Sequence, residues 1–90
     1  GEMKNFEDVE SSMFIRLSVN DEPGVLANIS GTFGENNVSI ESVIQEGRGD
    51  KAELVLVTHE APEKDIKSSI DQISALDSVT TVTSTLRVYV

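Results

Sequence analysis

A chain that must end a β-strand and begin an α-helix within four residues has few folds open to it. The run Asp21-Glu22-Pro23-Gly24 imposes that constraint. Ahead of it, Met13, Ile15, Leu17 and Val19 fall on one face of an extended stretch, with Phe14, Arg16 and Ser18 on the other. Behind it, Val25, Leu26, Ile29 and Phe33 recur at helical spacing. The pattern predicts a helix from about Pro23 to Asn36. Asp21 or Glu22 is the expected N-cap, and Pro23 stands where a missing N–H costs nothing. The first amides of such a helix lack intrahelical acceptors and sit at the positive end of its dipole. The seam is thus a candidate seat for a small anionic group.

The remaining chain supplies a scaffold. Asn36-Asn37 ends the helix, because Asn tolerates the left-handed conformation. Gly31 and Gly34 inside the helix are expected to mark close packing against a sheet. A second strand, 38–45, is expected to turn Val38, Ile40 and Ile44 inward, and Gly47-Arg48-Gly49-Asp50 reads as a hairpin turn. A third strand, 52–58, carries the unbroken run Leu54-Val55-Leu56-Val57 and is expected to be central and covered on both faces. Ala61-Pro62-Glu63 opens a second helix with an apolar stripe of Ile66, Ile70, Ile73 and Leu76. The last strand sets Val82, Ser84, Leu86, Val88 and Val90 against Thr81, Thr83, Thr85, Arg87 and Tyr89. Residues 1–12 lack periodicity and read as a linker to a missing N-terminal portion, with Gly1-Glu2 readable as a cloning remnant.

The order β-α-β-β-α-β makes this an α+β chain of ferredoxin-like topology. Two helices are expected on one face of a four-stranded antiparallel sheet. The other face would carry Phe14, Arg16, Val43, Val55, Val57 and Tyr89. That is apolar for a solvent face, so a second copy or the rest of a longer polypeptide is expected to cover it. Both edge strands also offer free ladder groups for pairing.

Composition narrows the function. Sixteen acids against seven Lys and Arg leave a net charge of −9 with no basic stripe, which argues against nucleic acid and anionic membrane as partners. The absence of cysteine excludes thiol catalysis and Cys-based zinc sites. No run approaches the ~20 apolar residues of a membrane span. An intracellular, cytoplasmic location is the default expectation. No catalytic constellation is evident. His59, the single histidine, ends the third strand as a polar terminus. Glu41, Glu46, Asp50 and Glu53 surround a hairpin as a solvated rim rather than a metal cage. Gly47-x-Gly49 lies in a hairpin, the wrong context for a dinucleotide loop.

The run Asp21-Glu22-Pro23-Gly24-Val25-Leu26-Ala27, then Phe33, then Asn36-Asn37-Val38-Ser39-Ile40, resembles the signature of ACT domains, the amino-acid-sensing modules of metabolic enzymes. Residues 13–90 would form that domain. Asp8-Val9-Glu10-Ser11-Ser12, Ile40-Glu41-Ser42-Val43-Ile44-Gln45 and Ala52-Glu53-Leu54-Val55-Leu56-Val57-Thr58-His59 look similar to the C-terminal ACT domain of bacterial homoserine dehydrogenases. The resemblance implies a regulatory domain of an enzyme that reduces aspartate semialdehyde to homoserine, with NAD(P) and the catalytic residues held outside these 90 residues. It implies an amino-acid ligand, threonine by end-product logic, between the first turn of one copy and the second strand of its neighbour in a homodimer. The residues so implied are Asp21, Gly24, Val25 and Leu26 from one copy and Ser39 and Ile40 from the other. Asp21 remains open to a plain capping role as well. A ligand-free dimerisation role, or service to another enzyme such as aspartate kinase, are the alternatives.

Overall fold

The computed structural model describes residues 9–88. Its elements run β1 (Glu10–Asn20), α1 (Val25–Glu35), β2 (Ile40–Arg48), β3 (Lys51–Thr58), β4 (Ala61–Pro62), α2 (Glu63–Ser74) and β5 (Val79–Val88). The sheet has five strands in the order β2-β3-β1-β4, with β5 on β1, and every pairing is antiparallel. β4 holds two residues and continues the line of β3 along β1, pairing Ser11 with Ala61 and Glu10 with Pro62. The working sheet is thus the expected four-stranded one, with β3 and β1 central and β2 and β5 at its edges. β1 begins at Glu10 rather than Met13 because β4 gives Glu10 and Ser11 a ladder partner and Glu63 N–H donates to Val9 O at 2.9 Å.

One face of the sheet meets both helices. Ile15, Leu17 and Val19 of β1 and Ala52, Leu54 and Leu56 of β3 are buried there against Val25, Ile29 and Phe33 of α1 and Ile66 and Ile73 of α2. Thr58, also fully buried, accepts a hydrogen bond on its hydroxyl from Met13 N–H at 3.0 Å, so its polarity is matched inside the core. The C-terminus of α1 is closed by Asn37 at φ 61°, with Val38 N–H on Phe33 O at 2.9 Å and Asn37 N–H on Gly34 O at 3.0 Å. That is a Schellman motif, sealed by the buried pair Val38 and Phe33.

Four expectations need correction. Gly31 and Gly34 are exposed, and a Cβ at either would meet nothing within 4 Å, so neither marks close packing. β3 is central but alternates between buried and half-buried residues, because a single copy covers only its helix face. The phase of β2 is reversed: Val43 packs against the core and Ile44 is 65% exposed on the outer face. The cause is a β-bulge, since Ile40 pairs with Thr58 and Ser42 with Val57, leaving Glu41 as the extra residue. A similar register break in β5 pairs Leu17 with Val82 but Arg16 with Ser84. It leaves Val82 toward the core and swings Leu86 and Val88 to the outer side, beside Phe14 and Ser12. Tyr89, also expected on that outer face, lies outside the described residues.

Candidate functional site: a cleft at the β1–α1 turn

The chain leaves β1 at Asn20 and is held there on several sides. Asn20 N–H donates to Ser78 O at 2.8 Å, Asp21 N–H to Asp50 O at 2.9 Å, and Lys51 Nζ to Asn20 Oδ1 at 2.6 Å. Pro23 and Gly24 then make the turn itself. Gly24 adopts φ 84°, ψ −8°, and Val25 N–H reaches back to Glu22 O at 3.4 Å. Those angles belong to the third residue of a type II turn, with Pro at the second.

The helix therefore starts at Val25, two residues later than expected, and its N-cap is Gly24 with no side-chain cap. Neither Asp21 nor Glu22 caps it. A left-handed residue between the carboxylates and the helix turns them off the axis, so they cannot reach its first amides. The first closed helical bond is Asn28 N–H to Gly24 O at 3.0 Å. By helix geometry, the amides of Leu26 and Ala27 have no intrahelical acceptor. The first turn holds no acidic residue to occupy them.

These features border a cleft of about 250 Å³ lined by Asn20, Asp21, Gly24, Val25, Leu26 and Gln45 among others. Four of the six expected site residues meet there: Asp21, Gly24, Val25 and Leu26. Ser39 and Ile40 do not. Ile40 pairs with Thr58 and Ser39 O accepts from His59 N–H, whereas the turn lies beside Lys51 and Asp50. Those two ends of β3 are about 23 Å apart at ~3.3 Å per residue. Within one copy the expected site is split.

Asn20, Ala27 and Gln45 are among the lining residues absent from the expected site, and Gln45 is the one contributed by another strand's polar side chain. Reading Ile44 as inward placed Gln45 outside. Counting back from the two-residue loop Gly49-Asp50 gives the opposite answer: Arg48 pairs with Lys51, hence Gln45 with core-facing Leu54. Gly47 lies beside Asp21, since a Cβ placed there would be 3.8 Å from Asp21 Oδ2.

The chemistry favours a zwitterion. Helix-start amides suit a carboxylate and the Asp21 carboxylate suits an ammonium, and both belong to the lining of one small cleft. A second cleft, about 340 Å³ between α2 and the sheet, is lined by Lys64 and Lys67 over Met13, Ile66 and Ile70. Its one carboxylate, Glu63, is held by Ser11 and Arg87. It lacks a comparable acceptor for an ammonium group. No grouping of His, Asp and Glu able to hold a metal occurs among the described residues, and no described helix is long and apolar enough to cross a membrane.

Sheet order, helix placement and the turn together define a small α/β-plait module with a cleft at its first strand–helix junction. The ACT domain family model matches residues 13–78, and the chain belongs to that family. Among relatives it is 45% identical over 75 residues to a homoserine dehydrogenase of Neisseria gonorrhoeae, covering 81% of this chain and 17% of the relative. It is 36% identical over 89 residues to a homoserine dehydrogenase of Bacillus subtilis, covering 96% and 21%. A crystal structure of a homoserine dehydrogenase from Thiobacillus denitrificans superposes with a TM-score of 0.82 at 30% identity, over 91% of this chain and 18% of that one. The ACT domain of a GTP pyrophosphokinase from Chlorobium tepidum shares the fold, with a TM-score of 0.68 at 15% identity. The chain spans about a fifth of the length of the curated relatives it matches.

Proposed function

We propose that this chain is the regulatory, amino-acid-binding ACT domain of a homoserine dehydrogenase, a cytoplasmic enzyme that reduces aspartate semialdehyde to homoserine with NAD(P)H. The single observation that carries the reading is the cleft at the turn, lined by both an uncapped helix start and Asp21. The proposed ligand is threonine, whose accumulation would signal that the pathway is satisfied. Its carboxylate meets the amides of Leu26 and Ala27, its ammonium meets Asp21, and Gln45 is placed to hydrogen-bond its hydroxyl.

The second half of the site comes from a second copy. β2 is an edge strand. An antiparallel apposition of two β2 strands runs the second copy's strand backwards, so its Ser39 and Ile40 fall beside Gln45–Arg48 of the first. Those are the residues that lie about 23 Å from the turn within one chain. Ligand binding across this seam would bias the attached catalytic portions between two states, with coupling of the order of 1–3 kcal/mol. Gly47–Gly49 falls at a β-hairpin, whereas a dinucleotide fingerprint joins a strand to a helix. Cofactor and catalysis belong to the remainder of the enzyme.

Calorimetric titration of the chain with L-threonine, L-serine, L-isoleucine and L-methionine tests the reading. The expected result is heat with threonine, abolished in Asp21→Ala and weakened in Gln45→Ala. Absence of heat or thermal shift with all four leaves only a dimerisation role.

A further inference from the structure

Beyond its register break, β5 no longer seals the helix side of the sheet. Val79 and Val82, before Ser84, pair with Val19 and Leu17 and pack with the core. Past the break, Thr85 pairs with Ile15 and Arg87 with Met13, so polar residues stand at the core-side positions. Helix α2 covers the sheet with the fully buried Ile66 and Ile73, but Met13 and Ile70 stay only partly buried. The gap is the cleft of about 340 Å³ between α2 and the sheet, with Met13, Ile66 and Ile70 as apolar lining and Thr85 on its β5 side. That volume lies within the ~300–1,000 Å³ usual for small-molecule sites.

The charge available in this cleft has one sign. Lys64 and Lys67 are three residues apart on α2, hence on one face of it, and both contribute to the lining. Both are exposed, as suits lysines whose stems cover apolar surface while their ammonium groups stay in water. Among the described residues Lys67 has no ion-pair partner. Asp71 lines the neighbouring groove with Ser68 and Gln72 rather than this cleft. Glu63, the acid among the described lining residues, is committed elsewhere. Ser11 Oγ donates to its Oε2 at 3.2 Å, and Arg87 pairs with its Oε1.

Ligand chemistry follows by elimination. A free amino acid would bring its ammonium group beside two lysines with no acceptor to meet it. An inorganic anion would leave the apolar lining in contact with water. A polyanion or an anionic membrane would be repelled by the net charge of −9. A single carboxylate on an aliphatic chain satisfies both halves of the cleft, through charge-assisted hydrogen bonds at the lysines and burial of the chain.

We propose that the α2 cleft is a second ligand site, which takes an aliphatic carboxylic acid without an ammonium group. The carboxylate sits between Lys64 and Lys67, and the chain lies over Met13, Ile66 and Ile70. Met13 is about 23 Å along β1 from Asn20, so this site is separate from the turn cleft and stands whether or not threonine binds there.

Calorimetry and amide NMR on the full 90-residue chain test it, with octanoate and 4-methyl-2-oxopentanoate as probes below micelle-forming concentrations. The first probe represents fatty acids and the second 2-oxo acids, and the tighter of the two identifies the source. Inorganic phosphate and 1-octanol, which carry the charge or the chain alone, are expected to bind at least about tenfold more weakly than the better acid. The expected result is binding that shifts the amides of Ile66, Lys67, Ile70 and Thr85 and is unchanged by excess L-threonine. The double variant Lys64→Gln, Lys67→Gln should weaken it about tenfold. Both lysines are exposed, so the variant should keep the wild-type amide spectrum elsewhere. Three results overturn the site: no binding of either acid, unchanged affinity in the double variant, or shifts centred elsewhere. Shifts at Leu26 and Ala27 that threonine abolishes would place the acid in the turn cleft, and shifts at Ile44 and Leu86 would place it on the outer sheet face.

Discussion

Three glycines of the first strand–helix unit look alike in sequence and differ in what they do. Gly24 has open space around it, so what an added Cβ costs is conformational: φ 84° is a left-handed value that L-residues avoid. Gly24→Ala should cost about 1–2 kcal/mol in urea unfolding and weaken threonine binding by shifting the helix start. Gly31 and Gly34 sit in helical conformation with nothing within 4 Å of an added Cβ. Gly31→Ala and Gly34→Ala should each raise stability by ~0.5–1 kcal/mol. With about 4–8 °C per kcal/mol for a domain this small, a thermal melt resolves either change. A loss of stability in both alanine variants would restore the packing role that the sequence suggested. The sequence could locate these glycines but could not distinguish them, because backbone angle and free space are not written in residue type. The pair Asn36-Asn37 is the contrasting case, where residue type announced a left-handed helix end, which the structure puts at Asn37.

At the scale of elements, what was legible followed from unbroken periodicity. The β1 face of Ile15, Leu17 and Val19 and the α2 stripe stand where their patterns put them, and the hairpin expected over Gly47–Asp50 is there but tighter, with Gly47 and Arg48 still paired in β2 and only Gly49-Asp50 in the loop. The misread phases of β2 and β5 follow from two bulges. A bulge shifts alternation by one, and every residue beyond it changes face. Val43 and Ile44 test the corrected phase. Val43→Ala removes two methyl groups from a side chain packed on the core and should cost ~1–2 kcal/mol. Ile44→Ala, at dilutions where the chain is monomeric, should change stability by under ~0.5 kcal/mol. The reverse ranking in urea unfolding would mean that Ile44 points inward after all. The same slip hid Gln45, so one misplaced residue of register moved both a core position and a cleft position out of view.

At the scale of the whole molecule, strand order was legible because a β-α-β-β-α-β chain with apolar faces has few ways to close. The separation of Ser39 and Ile40 from the turn within one copy agrees with a site expected to be shared between two copies. Net charge, by contrast, is fixed by composition, and its consequence can be measured. Sixteen acids and seven bases share one small domain, and Asp21, Glu22, Glu35, Glu41, Glu46, Asp50, Glu60, Asp71 and Asp77 are all exposed. Folding brings these charges closer together than they lie in the unfolded chain, so repulsion opposes it. Sodium chloride should relieve that repulsion as the screening length shrinks from about 10 Å at 0.1 M toward 3 Å at 1 M. The opposing effect is small. The Arg16–Glu53 and Arg87–Glu63 pairs have partly exposed side chains, and such pairs contribute about 0–1 kcal/mol each. The urea midpoint should therefore rise with salt, and association through β2 edges should strengthen with it, because two chains of like charge must meet there. Guanidinium would obscure the effect, since it screens as it denatures. A midpoint that falls with salt would mean that the two ion pairs outweigh the charge excess. In that case Arg16→Gln and Arg87→Gln would each lower stability by more than the surface-pair range.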